Sequence, residues 1–347
     1  MRFYRGVHRY YCGVDLHART MHVCLMDQQG TLHVDESIPC DADAFLRRVA
    51  PYRDDLVVTA ECIYCWYWLA DLCAHHGIAF VLAHALYLKA IHGAKAKNDA
   101  LDAAKLVSLL RGGVIPQAYV YPPRLRATRD LMRRRLFFVR KRAELFAHIE
   151  TTFHQYNLTK PGGALSSPKQ RNGVAACFPD AMVRASVSAD LQLCDTYDGL
   201  IKDLEKRILQ QARVHDPQAL QLLDTIPGVG DILALTILYE IDTIARFPRV
   251  QHFSSYCRLV KPEQRSAGKK LGTSGGKIGS AHLKWAFSEA AVCFLHNNPR
   301  GQAHIKRLRK RYGRGKALSI LAARLGRATY FILKQKRAFD LDRFFAT

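Results

Sequence analysis

The stretch KNDALDAAKL at residues 97–106 places Asp99 and Asp102 three residues apart in a helical pattern. At that spacing both carboxylates project from one helix face, where like charges repel by roughly 0.2–0.5 kcal/mol. A shared cation removes that repulsion, whereas a solvated polar face only tolerates it. Two further acids sit where strands end: Asp15 closes the run YYCGV, and Glu61 closes LVVTA. Strand ends converge at one edge of a sheet, and a helix packed there can bring its carboxylates to the same spot. Four acids gathered in this way suit Mg²⁺ or Mn²⁺, hard cations that take oxygen ligands and bridge to substrate phosphates. Two such ions could polarise a scissile phosphate and stabilise both its attacking and leaving oxygens. Any one of these acids alone reads more simply as a surface or capping carboxylate; the ordered set carries the reading.

The charge of the chain names the class of partner. Among 347 residues, 52 Lys and Arg face 30 Asp and Glu, a net charge of +22. That excess favours a polyanion, and nucleic acid is the commonest one. Glu61 and Asp71 interrupt the longest apolar candidate for a membrane span. MRFYRGVHRYYCGVDL lacks the long apolar stretch of a secretory signal, so a cytoplasmic protein is expected. The ten cysteines then read as reduced thiols. Cys62 and Cys65 form a C-x-x-C pair with no second pair at zinc-finger spacing, which favours ordinary core thiols over zinc or redox chemistry.

Three regions are expected, at 1–121, 122–215 and 216–347. In the first, strand patterns at 10–14, 21–27, 31–38, 56–60 and 78–83 alternate with helical ones at 41–52 and 65–75, which predicts a sheet covered by helices. Pro122-Pro123 punctuates the chain. Two long helical patterns follow, at 124–156 and 181–214, joined by the Gly- and Pro-rich KPGGALSSPKQRNG, as in an antiparallel hairpin arm with a loop at its tip. A plain bundle has the same pattern. From Leu222 the chain reads as mostly helical. TIPGVGDILALTILYEI carries the turn of a helix-hairpin-helix, in which Gly228 and Gly230 would let the backbone approach a phosphate at a helix N-terminus. A simple turn between packed helices is the plainer alternative. Basic residues cluster on the first arm helix (Arg133, Arg134, Arg135), in the loop 261–279 (Lys269, Lys270, Lys277) and at 306–316 (Arg307, Arg309, Lys310, Arg311). Such clusters track phosphate backbones or form solvated helix faces.

In order and spacing, CGVDLHART, VVTAE and KNDALDAAKL resemble the DEDD transposases of bacterial insertion sequences, the IS-one-ten type. IPGVG followed by FSSYCRLVKPEQRSAGKKLGTSGGKIGSAHLKWAFSEAA is similar to that family's C-terminal transposase domain. The likeness runs from about residue 10 to 335; its motifs are individually weak and specific in combination. It implies an α/β, RNase H-like (RuvC-like) domain whose Asp15, Glu61, Asp99 and Asp102 bind divalent metal. It also implies a coiled-coil arm and a mostly α-helical C-terminal domain whose loop serine attacks a DNA phosphate. By position after LVKPEQ that serine is Ser266, with Ser274 of TSGG as the rival. A hydroxyl is a weak nucleophile and needs a metal or base to activate it. Double-stranded donor and target DNA, a structured guide RNA, a homo-oligomer (dimer or tetramer) and a bacterial cytoplasm are further implications of the resemblance.

Two other readings remain on the residues alone. A RuvC-like hydrolytic junction nuclease keeps the acids and uses water as nucleophile. A non-catalytic nucleic-acid-binding protein keeps only the basic helices, with the acids structural. No glycine-rich nucleotide-binding motif is evident, which fits a reaction that needs no ATP.

Overall fold

The computed structural model describes residues 2–91, 98–212, 216–261, 263–272 and 276–346. They fall into two units, Met1–Pro123 and Arg124–Thr347. The Lys-bearing approach 92–97 and the rival serine Ser274 lie outside the described residues.

The first unit contains β1 (Tyr10–Leu16), β2 (Thr20–Asp27), β3 (Leu32–Pro39), α1 (Ala42–Val49), β4 (Leu56–Glu61), α2 (Trp66–His75), β5 (Ala79–Ala83), α3 (Ala85–Ile91) and α4 (Asp99–Arg111). Its sheet has the order β3-β2-β1-β4-β5. β1 pairs antiparallel with β2 and parallel with β4, so the sheet is mixed. The β2–β3 turn closes because the Asp27 carboxylate accepts the Thr31 N–H (2.8 Å) and Gly30 takes a left-handed φ of 92°. Alternation with period two divides β1 between two cores. Cys12, Val14 and Leu16 pack with Phe45, Leu69 and Cys73 on one face. Tyr11 packs with Leu106, Val107 and Leu110 of α4 on the other. Gly13 lies on the α4 side, where a Cβ would stand 2.4 Å from the Ala103 carbonyl oxygen and 2.7 Å from the Val107 nitrogen. Only glycine lets α4 rest this closely on β1.

The second unit begins with α5 (Pro123–Gln155) and α6 (Ala181–Ala212), helices of 33 and 32 residues, each roughly 50 Å long at 1.5 Å per residue. Ion pairs Arg135–Glu205, Arg142–Asp198 and His148–Asp190 join them, and the partner's number falls as the first rises, so the helices run antiparallel. The tip is more ordered than its composition predicts. Phe153, Leu165, Val174, Phe178 and Val187 form a small core there. Buried Arg171 ties it together, donating to the Leu165 carbonyl and pairing with Asp195 and Asp198.

After the arm come α7 (Pro217–Asp224), α8 (Asp231–Ile241), α9 (Val250–Tyr256), the hairpin of β6 (Gln264–Ser266) and β7 (Lys269–Gly272), α10 (Ala281–Cys293), α11 (Pro299–Tyr312), α12 (Arg314–Gln335) and α13 (Leu341–Ala346). Every residue of α8 from Leu233 to Ile241 is buried, which makes it the central helix of this core. Phe253, Phe287, Phe294, Leu321 and Leu325 close around it. The mixed sheet and the mostly helical second half agree with the α/β and α-helical classes expected from sequence.

Candidate metal centre and nucleic-acid interface

Asp15 is the penultimate residue of β1 and lies two residues beyond Gly13, hence on the same face of the sheet. The close approach at Gly13 seats Ala103 against β1, and the turn before Ala103 carries Asp99 and Asp102. The carboxylates of Asp15 and Asp99 and the imidazole of His17 each offer a ligand atom, all within 4.8 Å of one another. His17 Nε2 stands 3.2 Å from Asp15 Oδ2 and 3.5 Å from Asp99 Oδ1, so a single imidazole sits between two acids. Burial raises the Asp15 pKa; His17 opposes that rise, and the charges of Asp99 and Asp102 add to it. This carboxylate therefore carries negative charge that its surroundings only partly balance.

Asp102 lies in the first turn of α4 with Asp99, where the helix macrodipole favours acids. Its Oδ1 accepts from Lys105 Nζ at 3.0 Å. Glu61 ends β4, the strand paired with β1 in parallel register, and is half-buried. Its carboxylate is outside the Asp15–His17–Asp99 group. The fold thus brings Asp15 and Asp99 together, holds Asp102 within electrostatic reach, and sets Glu61 on the neighbouring strand end. His17 was missed from sequence; its signal was position alone, two residues past Asp15 in VDLH. The C-x-x-C cysteines serve local packing: Cys65 Sγ donates to the Leu16 carbonyl and Cys62 Sγ accepts the Ala85 N–H.

In the second unit Ser266 is exposed at the end of β6 and pairs with Lys269 across a two-residue turn. That turn is Ala267 (φ 48°) and Gly268 (φ 75°), both left-handed. A two-residue hairpin of this kind prefers Asn-Gly, and an alanine there costs roughly 1–2 kcal/mol. The loop bearing the hairpin is clamped at its base. Ser280 N–H donates to the Tyr256 carbonyl (2.7 Å), Arg258 donates to the Gly279 and Lys277 carbonyls, and Gly279 adopts a φ of 96° that brings it against Tyr256. Ser280 Oγ donates to Glu240 Oε2 at 3.0 Å.

Glu240 is also where the arm meets its base. Arg133 Nε donates to Oε1 (2.7 Å), and Arg129 Nη2 and Arg133 Nη2 donate to Oε2 (3.2 and 3.0 Å). Burial alone would raise the Glu240 pKa, yet these arginines hold it at about 2. Consequently Arg133 is engaged inside the protein, and so is Arg135, which pairs with Glu205 and lies over Trp285. Arg134 is exposed and stacks on Phe137.

The 306–316 cluster is different. Lys306, Arg307, Arg309, Lys310 and Arg311 are all exposed, and none of them is paired with a carboxylate among the described residues. Lys269 and Lys277 are exposed on the serine loop; the Lys270 side chain lies outside the described residues. At the IPGVG turn, a Cβ on Gly228 would stand 2.4 Å from the Cys293 carbonyl carbon, so the close approach it permits is to the chain's own backbone. Gly230, the N-cap of α8, faces open space. No helix among the described residues is long and apolar enough to cross a membrane.

Two family models match the chain. Residues 12–158, which include all four acids, match one described as Transposase, of the DEDD type; residues 220–306 match the Transposase IS116/IS110/IS902 family. These two regions, with acids on a sheet edge and a helical second half, define a DNA-cleaving and rejoining enzyme, a transposase. Within that class the chain belongs to the IS110-type DEDD transposases of insertion sequences. No curated protein matches it. The DEDD type implies a divalent metal, and the donor set fits one: two carboxylates around a site of unbalanced negative charge.

Proposed function

We propose that this transposase cuts and rejoins DNA at a divalent-metal centre held by Asp15, Glu61, Asp99 and Asp102, with Ser266 as the nucleophile. The observation that carries the metal centre is the convergence of Asp15 and Asp99 across the glycine contact between β1 and α4. The sheet order, with acids at the ends of two adjacent parallel strands, supports an RNase H-like reading of residues 1–121. The oxygen-rich donor set favours Mg²⁺ or Mn²⁺. A bound ion supplies Lewis acidity toward the phosphate oxygens. The carboxylates orient it, and the exposed lysines beside Ser266 balance phosphate charge. In the serine step the Ser266 Oγ–P bond forms while one P–O bond of the DNA breaks, and the departing DNA oxygen takes up a proton. Phosphodiester energy is kept in the phosphoserine link, so attack by a second DNA hydroxyl restores both the serine and a joined strand. The strained Ala267-Gly268 turn supports this role for Ser266, because it projects that residue from a sharp corner. Residues 122–215 serve as a coiled-coil arm and 216–347 as the serine-bearing domain. A guide RNA and a homo-oligomer are further parts of this proposal, carried over from the family resemblance.

Trapping on a nicked suicide substrate tests the reading. The native chain should form a covalent protein–DNA adduct that Ser266→Ala abolishes and Asp15→Asn reduces at least 100-fold. An adduct that survives Ser266→Ala contradicts the serine step. Cleavage without any adduct would favour the junction-nuclease alternative.

A further inference from the structure

Beyond residue 306, outside both family matches, the chain builds a cavity of 380 Å³ between the end of α12 and α13. Its size falls within the roughly 300–1,000 Å³ of ligand pockets. It exists because the chain reverses sharply after α12. Lys336 takes a left-handed φ of 52°, the Arg337 N–H donates to the Ile332 carbonyl, and the Phe339 N–H donates to Thr225 Oγ1 (2.8 Å). α13 then lies back over the core with Phe344 buried, and Arg324 holds it by donating to the Phe344 carbonyl and covering the Phe344 ring.

The lining has two characters. The walls include Phe331, Phe339 and Phe344, and the guanidinium of Arg327 lies 5.3 Å over the Phe331 ring. Arg327, Arg337 and Arg343 are exposed at the cavity. Among the described residues the one lining acid is Asp340, which accepts the N–H groups of Asp342 and Arg343 (2.9 and 3.0 Å) and is thereby engaged at the start of α13. A bare phosphate would meet the arginines but leave Phe331, Phe339 and Phe344 without a partner, and the C-terminus of α12 carries partial negative charge. Duplex nucleic acid does not suit it either, because base faces are hidden in the stack. A ligand with a flat apolar body and an anionic flank suits both characters of the lining.

We propose that this cavity receives one unstacked nucleotide of a single-stranded nucleic acid. Its base lies against Phe331 and the Arg327 plane, and its phosphate sits on Arg337. Stacking on aromatic rings and arginine planes is the general means by which proteins hold unpaired strands. The site is independent of the metal centre and of Ser266.

The test uses the full-length chain in EDTA, with fluorescein-labelled 15-mers of oligothymidylate, oligouridylate and a duplex of the same length. Phe331→Ala should weaken single-strand binding about tenfold, while Phe331→Tyr keeps it within about twofold and duplex binding changes less than about twofold. Arg327→Ser/Arg337→Ser, altered only at exposed positions, should weaken the single strand about tenfold and remains informative if Phe331→Ala does not fold. Comparing the DNA and RNA strands identifies which one the cavity takes. A strand carrying 5-iodouracil should cross-link within residues 327–337. Unchanged single-strand affinity in these variants, a parallel loss for duplex, or cross-links that avoid 327–337 would overturn the proposal.

Discussion

Two carboxylate sites in this protein show opposite electrostatic solutions. Glu240, in the second unit, is buried and met by Arg129, Arg133 and Ser280, so its charge is fully answered from within. Asp15, in the first unit, is half-buried, faces Asp99 and shares a single imidazole with it. The same chemical group is held at a pKa of about 2 in one place and raised above its ordinary value in the other. A saturated carboxylate is a structural anchor; an under-neutralised pair retains affinity for a cation. The difference separates a buried, ion-paired acid from the acids proposed to hold metal.

The largest expected effect comes from breaking the anchor. Glu240→Gln should cost about 3–5 kcal/mol in chemical denaturation, because two arginines lose their buried counter-charge. The native chain should also weaken in acid. The folded Glu240 value lies near 2, below the ordinary 4.5, so its stabilisation is complete above about pH 4.5 and fades as pH falls toward 2. Glu240→Gln should flatten that part of the profile, and an unaltered profile would remove Glu240 from the account.

The metal centre should respond in the reverse sense. At Mg²⁺ near 100 times its dissociation constant, native protein should gain about 2.7 kcal/mol, and Asp15→Asn, binding at least tenfold more weakly, should gain about 1.4 kcal/mol or less. Without metal, Asp15→Asn should be as stable as the native chain or slightly more so. Calorimetry with and without Mg²⁺ reads both quantities, and an equal Mg²⁺ response in the two proteins would break the comparison.

Gly13→Ala should cost about 1–3 kcal/mol through overpacking against Ala103 and should also lower the Mg²⁺ response, since α4 must move off β1. If metal binding survives intact, the glycine contact does not position Asp99. The smallest stability effect belongs to the α11 face. Arg309→Gln/Lys310→Gln/Arg311→Gln should stay within about 0.5 kcal/mol of native while flattening the salt dependence of DNA or RNA binding by about one unit per lost phosphate contact. An unchanged salt slope would show that α11 faces only solvent.

Much of the first unit was legible because its signals are local. Apolar runs ending on Asp15 and Glu61 marked strand ends, and both residues close their strands within one position. The arm helices were equally plain from length and from Pro122-Pro123. What escaped the sequence depended on partners far along the chain. Nine basic residues at 124–142 read as a phosphate-binding surface, yet Arg129 and Arg133 meet Glu240 more than a hundred positions later. Gly228 read as an opening for phosphate and is filled by the backbone of Cys293 and Phe294. The polar tip hid a small core because Phe153, in the last turn of α5, meets Phe178, three residues before α6 begins. His17 had no periodicity or spacing rule to mark it; its meaning comes only from where Asp99 lands.

The most direct test of the central claim is a Mn²⁺ titration followed by electron paramagnetic resonance, comparing native protein with Asp15→Asn, Asp99→Asn and Glu61→Gln. The account predicts specific Mn²⁺ binding in the native chain and at least tenfold weaker binding in Asp15→Asn and Asp99→Asn. Native-like Mn²⁺ affinity in both aspartate variants would contradict it.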